Sequence, residues 1–316
     1  MPKIHVCPKD LLSVNLQGKV YIVTGGNSGI GLITVQQLVK QGAQVILACR
    51  RLDQGAQAKA QIDSEGYPGS VEVMALDLAS LNSVRGFATT FLSKKLPLHG
   101  LINNAGVMNT PSKKTADGFE LQFGTNHLGH FLLTELLLPT LKASAPSRVV
   151  NVSSCFHDLA MKREGRIDFD DLNFERRKYD GWEAYAQSKL ANLLHARELA
   201  ARLKGSDVSA VSVHPGWVRT NLIQFSMPLF MQNYILRPVL RMAGMIEPWE
   251  GAQSTLFALL SPTVPENSGA YFSQVGIYRS KKHNEGGWPM QSPNPQASDD
   301  VIGKKLYEVS ASLVGI

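Results

Sequence analysis

Near its N-terminus the chain reads Lys19-Val-Tyr-Ile-Val-Thr24-Gly25-Gly26-Asn27-Ser28-Gly29-Ile30-Gly31. A short apolar run typical of a strand ends at two glycines, and helical periodicity follows over residues 29–41. Glycines allow a tight turn and a close approach of backbone to a pyrophosphate, while a helix N-terminus offers free N–H groups. The stretch predicts a dinucleotide-binding turn, with a purely structural turn as the alternative. The expected contacts are Gly25, Asn27, Ser28, Gly29, Ile30 and Gly31.

Strand and helix patterns alternate through the first 215 residues. Further apolar runs cover Gln44–Cys49, Val71–Leu76, His99–Asn103, Arg148–Ser153 and Val208–Val213, and helical patterns cover 80–94, 118–143 and 182–204. Strands that are apolar throughout are typical of a parallel sheet covered on both faces. The pattern predicts an α/β, Rossmann-type, doubly wound domain over residues 1–316, with a mainly parallel seven-stranded sheet and helices on both faces.

Two segments depart from this alternation. Residues 155–181 are polar and charged, and we expect them to form a loop insertion with little regular structure. Residues 222–246 are rich in methionine and other apolar residues and are interrupted by Pro228 and Pro238. Such a segment adapts to irregular apolar partners. It predicts a substrate lid, with a partner or membrane-surface contact and ordinary core packing as alternatives.

Composition limits the classes of function. The formal net charge of +6 is spread along the chain without a block of five basic residues, which argues against a nucleic-acid partner. The three cysteines have neither metal-ligand nor disulfide spacing, so no metal is expected. No stretch reaches the roughly 18 consecutive apolar residues of a transmembrane helix, and no signal peptide is visible. We expect a cytoplasmic protein, or one peripheral on an intracellular membrane, that is possibly a homo-oligomer.

The residues after the second apolar run bear on the choice between NAD and NADP. An acidic residue there would bind the ribose 2′-hydroxyl, but the chain has Arg50 and Arg51. A charge-assisted bond from arginine favours the 2′-phosphate, so the sequence predicts NADP(H); an arginine that merely lies along the sheet edge is the alternative. Asp77, followed by Leu78, ends the third run, where its carboxylate either faces an adenine edge or caps the next helix.

Tyr185 and Lys189 are four residues apart in a helical pattern, so their side chains share one helix face. A free tyrosine has a pKa of about 10, and a nearby fixed cation favours tyrosinate. Lys189 is therefore expected to lower the pKa of Tyr185. An exposed tyrosine and lysine on an ordinary helix are the alternative.

Five motifs occur in one order over roughly residues 18–275: Thr24-Gly25-x3-Gly29-x-Gly31, Asn103-Asn104-Ala105-Gly106, Asn151-Val152-Ser153-Ser154, Tyr185-x3-Lys189 and His214-Pro215-Gly216. Together they resemble the short-chain dehydrogenase/reductase family. The stretches around residues 114–142 and 188–203 are most similar to its retinol dehydrogenase branch, and the protochlorophyllide reductases are similar too.

The resemblance implies a catalytic set of Asn126, Ser154, Tyr185 and Lys189. Tyr185 would exchange a proton with the substrate oxygen, Ser154 would hydrogen-bond that oxygen, and Asn126 would position a water beside Lys189. Tyr185 and Lys189 would also contact the cofactor. Its other implied contacts are Asn104, Ala105, Gly106, Pro215, Gly216, Val218 and Thr220.

The function implied is transfer of hydride between NADP(H) and a carbonyl/alcohol pair of a hydrophobic substrate, such as a retinoid, a steroid or a lipid-derived aldehyde or ketone. A light-dependent pigment reductase and a non-catalytic NADP-sensing module are the alternatives. Tyr185 follows Ser154 by 31 positions, where many members have about a dozen residues between them. The insertion at 155–181 accounts for this departure.

Overall fold

The computed structural model describes residues 4–218 and 244–316. Thr220 and nearly all of the 222–246 segment lie outside the described residues. The strands are β1 Val20–Thr24, β2 Gln44–Cys49, β3 Ser70–Ala75, β4 Gly100–Asn103, β5 Ser147–Val152, β6 Leu159–Ala160, β7 Arg163–Glu164, β8 Val208–His214, β9 Tyr271–Ser273 and β10 Gly287–Met290. The helices are α1 Gly29–Lys40, α2 Leu52–Asp63, α3 Leu81–Ser93, α4 Leu121–Phe123, α5 Gly129–Ala143, α6 Gly181–Arg202, α7 Pro248–Leu260 and α8 Asp300–Val314.

The main sheet has the order β10-β9-β8-β5-β4-β1-β2-β3, with β10 antiparallel and the other neighbouring pairs parallel. The predicted doubly wound, mainly parallel sheet is confirmed. It has eight strands instead of seven within the described residues, because β10 adds an antiparallel edge. Neither β9 nor β10 carries a long apolar run, so the apolar pattern did not mark them.

Helices cover both faces of the sheet, as predicted. Along β1, Val20 and Ile22 pack with side chains of α3, α5, α6 and α8, whereas Tyr21 and Val23 pack with those of α1, α2 and α7. Successive side chains of a strand point to opposite faces, so a run that is buried throughout needs cover on both. This explains why the strand pattern is continuous and not alternating.

The helix predicted over residues 118–143 is divided in the structure. It begins at Leu121 because the Glu120 carboxylate accepts hydrogen bonds from the backbone N–H groups of Gln122 (2.9 Å) and Phe123 (2.6 Å). A π-helical segment, Gly124–Leu128, then separates α4 from α5. π-Helical turns within α-helices frequently occur at functional sites, and this one carries Asn126.

The insertion at 155–181 has little regular structure. A single 3₁₀ turn, Cys155–His157, precedes the β6–β7 hairpin, and irregular chain follows until the Asp180 carboxylate caps α6. Within the described ranges, no helix combines the length and apolarity needed to cross a membrane.

Candidate active site

A cavity of about 1150 Å³ opens at the carboxyl edge of the sheet, where ligands bind in open α/β folds. It is lined by nearly all of the residues that the sequence predicted: Gly25, Asn27, Ser28, Gly29, Ile30, Gly31, Arg50, Arg51, Asp77, Leu78, Asn104, Ala105, Gly106, Ser154, Tyr185, Lys189, Pro215, Gly216 and Val218. Asn126 is absent from its lining, and Thr220 lies outside the described residues.

The glycine turn between β1 and α1 leaves no room for side chains. Gly25 has φ +65°, a conformation that favours glycine, and a Cβ added there would stand 3.1 Å from Ala105. A Cβ on Gly31 would stand 2.6 Å from Asn104 Nδ2, whose amide donates a 2.8 Å hydrogen bond to Thr24 O. The turn at the end of β4 therefore packs directly against the glycine turn. This close-packed backbone, at the start of α1, fits a pyrophosphate.

The second strand delivers two exposed cations to the same cavity. Arg50 and Arg51 directly follow β2, and both line the cavity with Gln54 of α2. Asn27 of the glycine turn donates a 3.2 Å hydrogen bond to Gln54, so these two parts of the lining are joined. Arg51 is the N-cap of α2, and Asp53 lies in its first turn. Asp53 is therefore not the helix cap that its position suggested.

Asp77 contributes to the cavity and does not cap α3. Its Oδ1 accepts a 3.0 Å hydrogen bond from Ala79 N, which closes the turn before the helix. Ser80 is the N-cap of α3, and its hydroxyl accepts from Ser83 N. Of the two roles considered from the sequence, helix capping belongs to Ser80.

Tyr185 and Ser154 meet at the deep end of the cavity. Ser154 follows β5, and its Oγ accepts a 3.2 Å hydrogen bond from Phe156 N. Its hydroxyl also hydrogen-bonds with Tyr185, which is 3% exposed. The neighbouring Ser153 donates its own hydroxyl to Lys189 O at 2.7 Å. Ser154 is thus the member of the serine pair that joins the tyrosine.

Lys189 is buried beneath Tyr185. Its Nζ donates a 2.9 Å hydrogen bond to Val152 O and lies 5.6 Å from the centroid of the Tyr185 ring. Burial disfavours the charged ammonium and lowers the pKa of Lys189 from 10.5 to about 7.

Burial also controls Tyr185, in the direction opposite to the one expected from the sequence. Loss of hydration raises the pKa of the Tyr185 phenol above its ordinary value, although the hydrogen bond with Ser154 opposes the rise. A lysine that is itself only partly charged near neutral pH cannot supply the full stabilisation of tyrosinate that its spacing suggested. Tyr185 is therefore a protonated phenol at neutral pH in the protein alone.

Asn126 lies behind the cavity wall. Its Oδ1 accepts from Val107 N at 2.8 Å, and its Nδ2 lies 2.9 Å from Val107 O and 3.0 Å from Ser188 Oγ. A Cβ on Gly106 would stand 3.1 Å from Asn126 Oδ1 and 3.6 Å from Lys189 Nζ. Asn126 thus connects the turn after β4 to the helix that carries Tyr185 and Lys189.

The other side of Tyr185 is apolar. It packs in a cluster with Met108, Met245, Phe156 and Trp182, and the Phe156 ring lies edge-on to Trp182 (5.6 Å) and to Tyr185 (6.2 Å). Sequence reasoning missed this wall. A helical signal existed for Trp182 alone, which precedes Tyr185 by three positions and so shares its face of α6.

His214 is a buried structural residue. It is 2% exposed, and Gly216 N donates to its Nδ1 at 3.4 Å. Burial lowers the pKa of His214 to about 3, so its ring is neutral. In the described part of the chain, no three histidine, cysteine, aspartate or glutamate side chains are grouped so as to hold a metal ion.

Known proteins resemble this chain along nearly all of its length. The short chain dehydrogenase family matches residues 19–162. Retinol dehydrogenase 11 of Mus musculus is 44% identical over 96% of this chain and 89% of its own, and retinol dehydrogenase 12 of Homo sapiens is 43% identical over the same shares. An uncharacterised protein from Mycobacterium paratuberculosis has a similar solved structure, with a TM-score of 0.73, 36% identity and 95% coverage of both chains. The chain therefore belongs to the short-chain dehydrogenase/reductase family of oxidoreductases, in its retinol dehydrogenase-like branch.

Proposed function

We propose that this chain is an NADP(H)-dependent oxidoreductase that transfers hydride between the nicotinamide and the carbonyl or alcohol carbon of a hydrophobic substrate. The observation that carries the proposal is the continuity of the cavity. It extends from the glycine turn and Arg50 and Arg51 to the hydrogen-bonded pair Ser154 and Tyr185. A phosphate-binding turn and a proton donor in the same cavity are what a carbonyl reductase needs.

The cofactor would lie along the carboxyl edge of the sheet. The glycine turn would bind the pyrophosphate, Arg50 and Arg51 the 2′-phosphate, and Lys189 the nicotinamide ribose. Pro215, Gly216, Val218 and Thr220 would hold the carboxamide. When bound, NADP(H) supplies or accepts the hydride at C4 of its nicotinamide.

Tyr185 would be the general acid in reduction and the general base in oxidation. A buried phenol that stays protonated at neutral pH has a proton to give to a carbonyl oxygen as that oxygen becomes an alkoxide. Ser154 already accepts from Phe156 N, so its own O–H is available to donate to the same oxygen. The two hydroxyl groups would hold the substrate oxygen between them, with the reacting carbon toward the nicotinamide.

A hydrophobic substrate is supported by the wall around Tyr185. Met108, Phe156, Trp182 and Met245 present apolar surface next to the reacting oxygen, and apolar walls with few polar groups are typical of sites for apolar ligands. Relatives more than 40% identical carry the name retinol dehydrogenase. We therefore propose a retinoid, a steroid or a lipid-derived aldehyde or ketone as the substrate.

Substitution Tyr185→Phe tests the proton transfer. It removes the hydroxyl and keeps the ring, so we expect NADPH to bind within threefold of wild type while turnover falls by about 10²- to 10⁴-fold. Single-turnover kinetics and fluorescence titration with NADPH measure the two effects. Tyr67→Phe, at a phenol outside the cavity, is the matched control. Retention of more than a tenth of wild-type turnover by Tyr185→Phe would exclude this role.

Arg50→Ala tests cofactor choice. A charge-assisted hydrogen bond contributes about 1.5 to 3 kcal/mol, so the Kd for NADPH should rise by about 10- to 150-fold while that for NADH changes little. Lys59→Ala, an exposed cation on α2 paired with Asp63, is the control. Equal losses for both cofactors would show that Arg50 does not contact the 2′-phosphate.

A further inference from the structure

A buried histidine joins the two halves of the candidate active site. His130 is the second residue of α5 and is 2% exposed. Its Nε2 lies 2.9 Å from Thr24 Oγ1, where β1 meets the glycine turn, and its Nδ1 lies 2.9 Å from Asn126 O in the π-helical segment. Neither His130 nor Thr24 belongs to the catalytic set that the family motifs imply.

The hydrogen-bond partners determine the tautomer of His130. A backbone carbonyl only accepts, so Nδ1 must carry the proton that goes to Asn126 O. Nε2 is then an acceptor, and the Thr24 hydroxyl donates to it. Burial, with the nearby charge of Lys189, lowers the pKa of His130 to about 4, so this neutral form is the one present at working pH.

This arrangement orients the Thr24 hydroxyl. With its hydrogen directed at His130, the oxygen accepts the N–H of Asn104 at 2.9 Å and of Ala105 at 3.0 Å. Those two residues are at the turn after β4 that packs against Gly25 and Gly31. His130 therefore sets the donor direction of the one hydroxyl that joins both cofactor-facing turns.

On its other side, His130 restrains the residue that supports the catalytic helix. The Asn126 side chain bonds both backbone groups of Val107 and the hydroxyl of Ser188, which directly precedes Lys189. We propose that His130 is a positioning residue that holds the dinucleotide turns and Asn126 in register, so that its loss weakens cofactor binding and turnover together. This inference rests on the proposed function for its effect on turnover.

Two substitutions separate the halves of this contact. His130→Asn keeps a donor near the position of Nδ1 and removes the acceptor for Thr24, and Thr24→Val removes the partner hydroxyl. His195→Asn is the control, because His195 is an equally buried histidine (3% exposed) on α6 whose ring contacts Asn151 and not the glycine turn. The Kd for NADPH, kcat and the unfolding midpoint in urea are measured for each.

We expect His130→Asn and Thr24→Val each to raise the Kd for NADPH by about fivefold or more and to lower kcat. The double variant should be no more than about twofold worse than either single variant, because both remove one interaction. His195→Asn should lower the unfolding midpoint and leave the Kd within twofold. The proposal fails if His130→Asn resembles His195→Asn in Kd, or if the two effects multiply.

A second measurement needs no cofactor. In the protein alone, amide hydrogen exchange at Asn104 and Ala105 should be at least about tenfold faster in His130→Asn than in wild type, because their acceptor Thr24 Oγ1 is no longer oriented. His195→Asn should leave these two amides unchanged. Unaltered exchange in His130→Asn would overturn the inference. Wild-type protein that does not bind NADPH would instead overturn the proposed function.

Discussion

At the scale of single residues, burial determines the charge of the candidate catalytic groups. Lys189 is 3% exposed, and its ammonium has Val152 O as its hydrogen-bond acceptor. A buried cation without a facing carboxylate loses hydration that one carbonyl does not replace. The protein alone therefore holds a lysine that releases its proton near neutral pH above which lies a tyrosine that keeps its own.

This burial predicts a dependence of stability on pH. The unfolded chain keeps the Lys189 proton up to pH 10.5, whereas the folded protein releases it near pH 7, so between these values the unfolded state binds more protons. The free energy of unfolding should then rise with pH by up to about 1.4 kcal/mol per unit, with no such rise below pH 7. Relative to Lys189→Met, wild type should gain about 2 kcal/mol between about pH 7.5 and pH 9.5 in urea titrations. Parallel curves for the two proteins would contradict this prediction.

Motifs predicted the residue identities better than their chemistry. The glycine turn, Arg50, Ser154, Tyr185 and Lys189 were predicted from the sequence, and all line the same cavity. The direction of the Tyr185 pKa was not predictable from the spacing, because burial depends on side chains distant in the sequence. Met108 and Met245 both pack against Tyr185, and neither lies in a motif.

At the scale of elements, the junction of β1 and α1 is the most tightly constrained part of the site. Gly31, on the first turn of α1, lies against the backbone of Gly25 and the side chain of Asn104. Gly86, on α3, has open space where its Cβ would be. The same substitution at these two helical glycines should therefore have opposite effects.

Gly31→Ala should destabilise the protein by about 1 to 3 kcal/mol and weaken NADPH binding, because the glycine turn must shift to accept the methyl group. Gly86→Ala should stabilise by up to about 1 kcal/mol, since alanine loses less conformational freedom than glycine in a helix. Urea unfolding and NADPH titration measure both. A Gly31→Ala protein with wild-type stability and affinity would show that the turn is not constrained as described.

Elements with strong periodic signals were predicted well, and elements defined by their neighbours were not. The strand β1 and the helix α6 follow continuous apolar or helical patterns in the sequence. The π-helical segment within residues 118–143 was not visible, because its residues keep helical periodicity on both sides. The edge strand β10 contains Trp288 and Pro289 and no apolar run, so its place follows from pairing with β9 alone.

At the scale of the whole molecule, distant parts of the chain form one side of the cavity mouth. The β6–β7 hairpin is fastened to the C-terminal region by Asn294, whose Nδ2 donates to His157 O at 2.7 Å and to Gly165 O at 2.8 Å. Arg279 forms a second link, with Nε 3.1 Å from the buried carboxylate of Asp158. The insertion is therefore held in place by residues more than a hundred positions away.

Asn294→Ala should destabilise the protein by about 2 to 4 kcal/mol, because two buried carbonyl groups lose their donor. Ser298→Ala, which removes an exposed hydroxyl in the same turn, should change the free energy of unfolding by less than about 0.5 kcal/mol. Limited proteolysis should detect faster cleavage between residues 159 and 166 in Asn294→Ala. Equal proteolysis of the two variants would mean that the hairpin is fastened elsewhere.

The link between the hairpin and the C-terminal region has a consequence for how such a scaffold diversifies. The glycine turn, Arg50 and the turn after β4 all come from the first 106 residues, whereas the mouth is assembled from residues 155–181 together with 275–296. A new hairpin grafted from a relative would leave Arg279 and Asn294 facing unmatched partners. Recombination between homologues should thus succeed when these two segments are inherited as a pair, and the half that binds the dinucleotide is free to stay as it is.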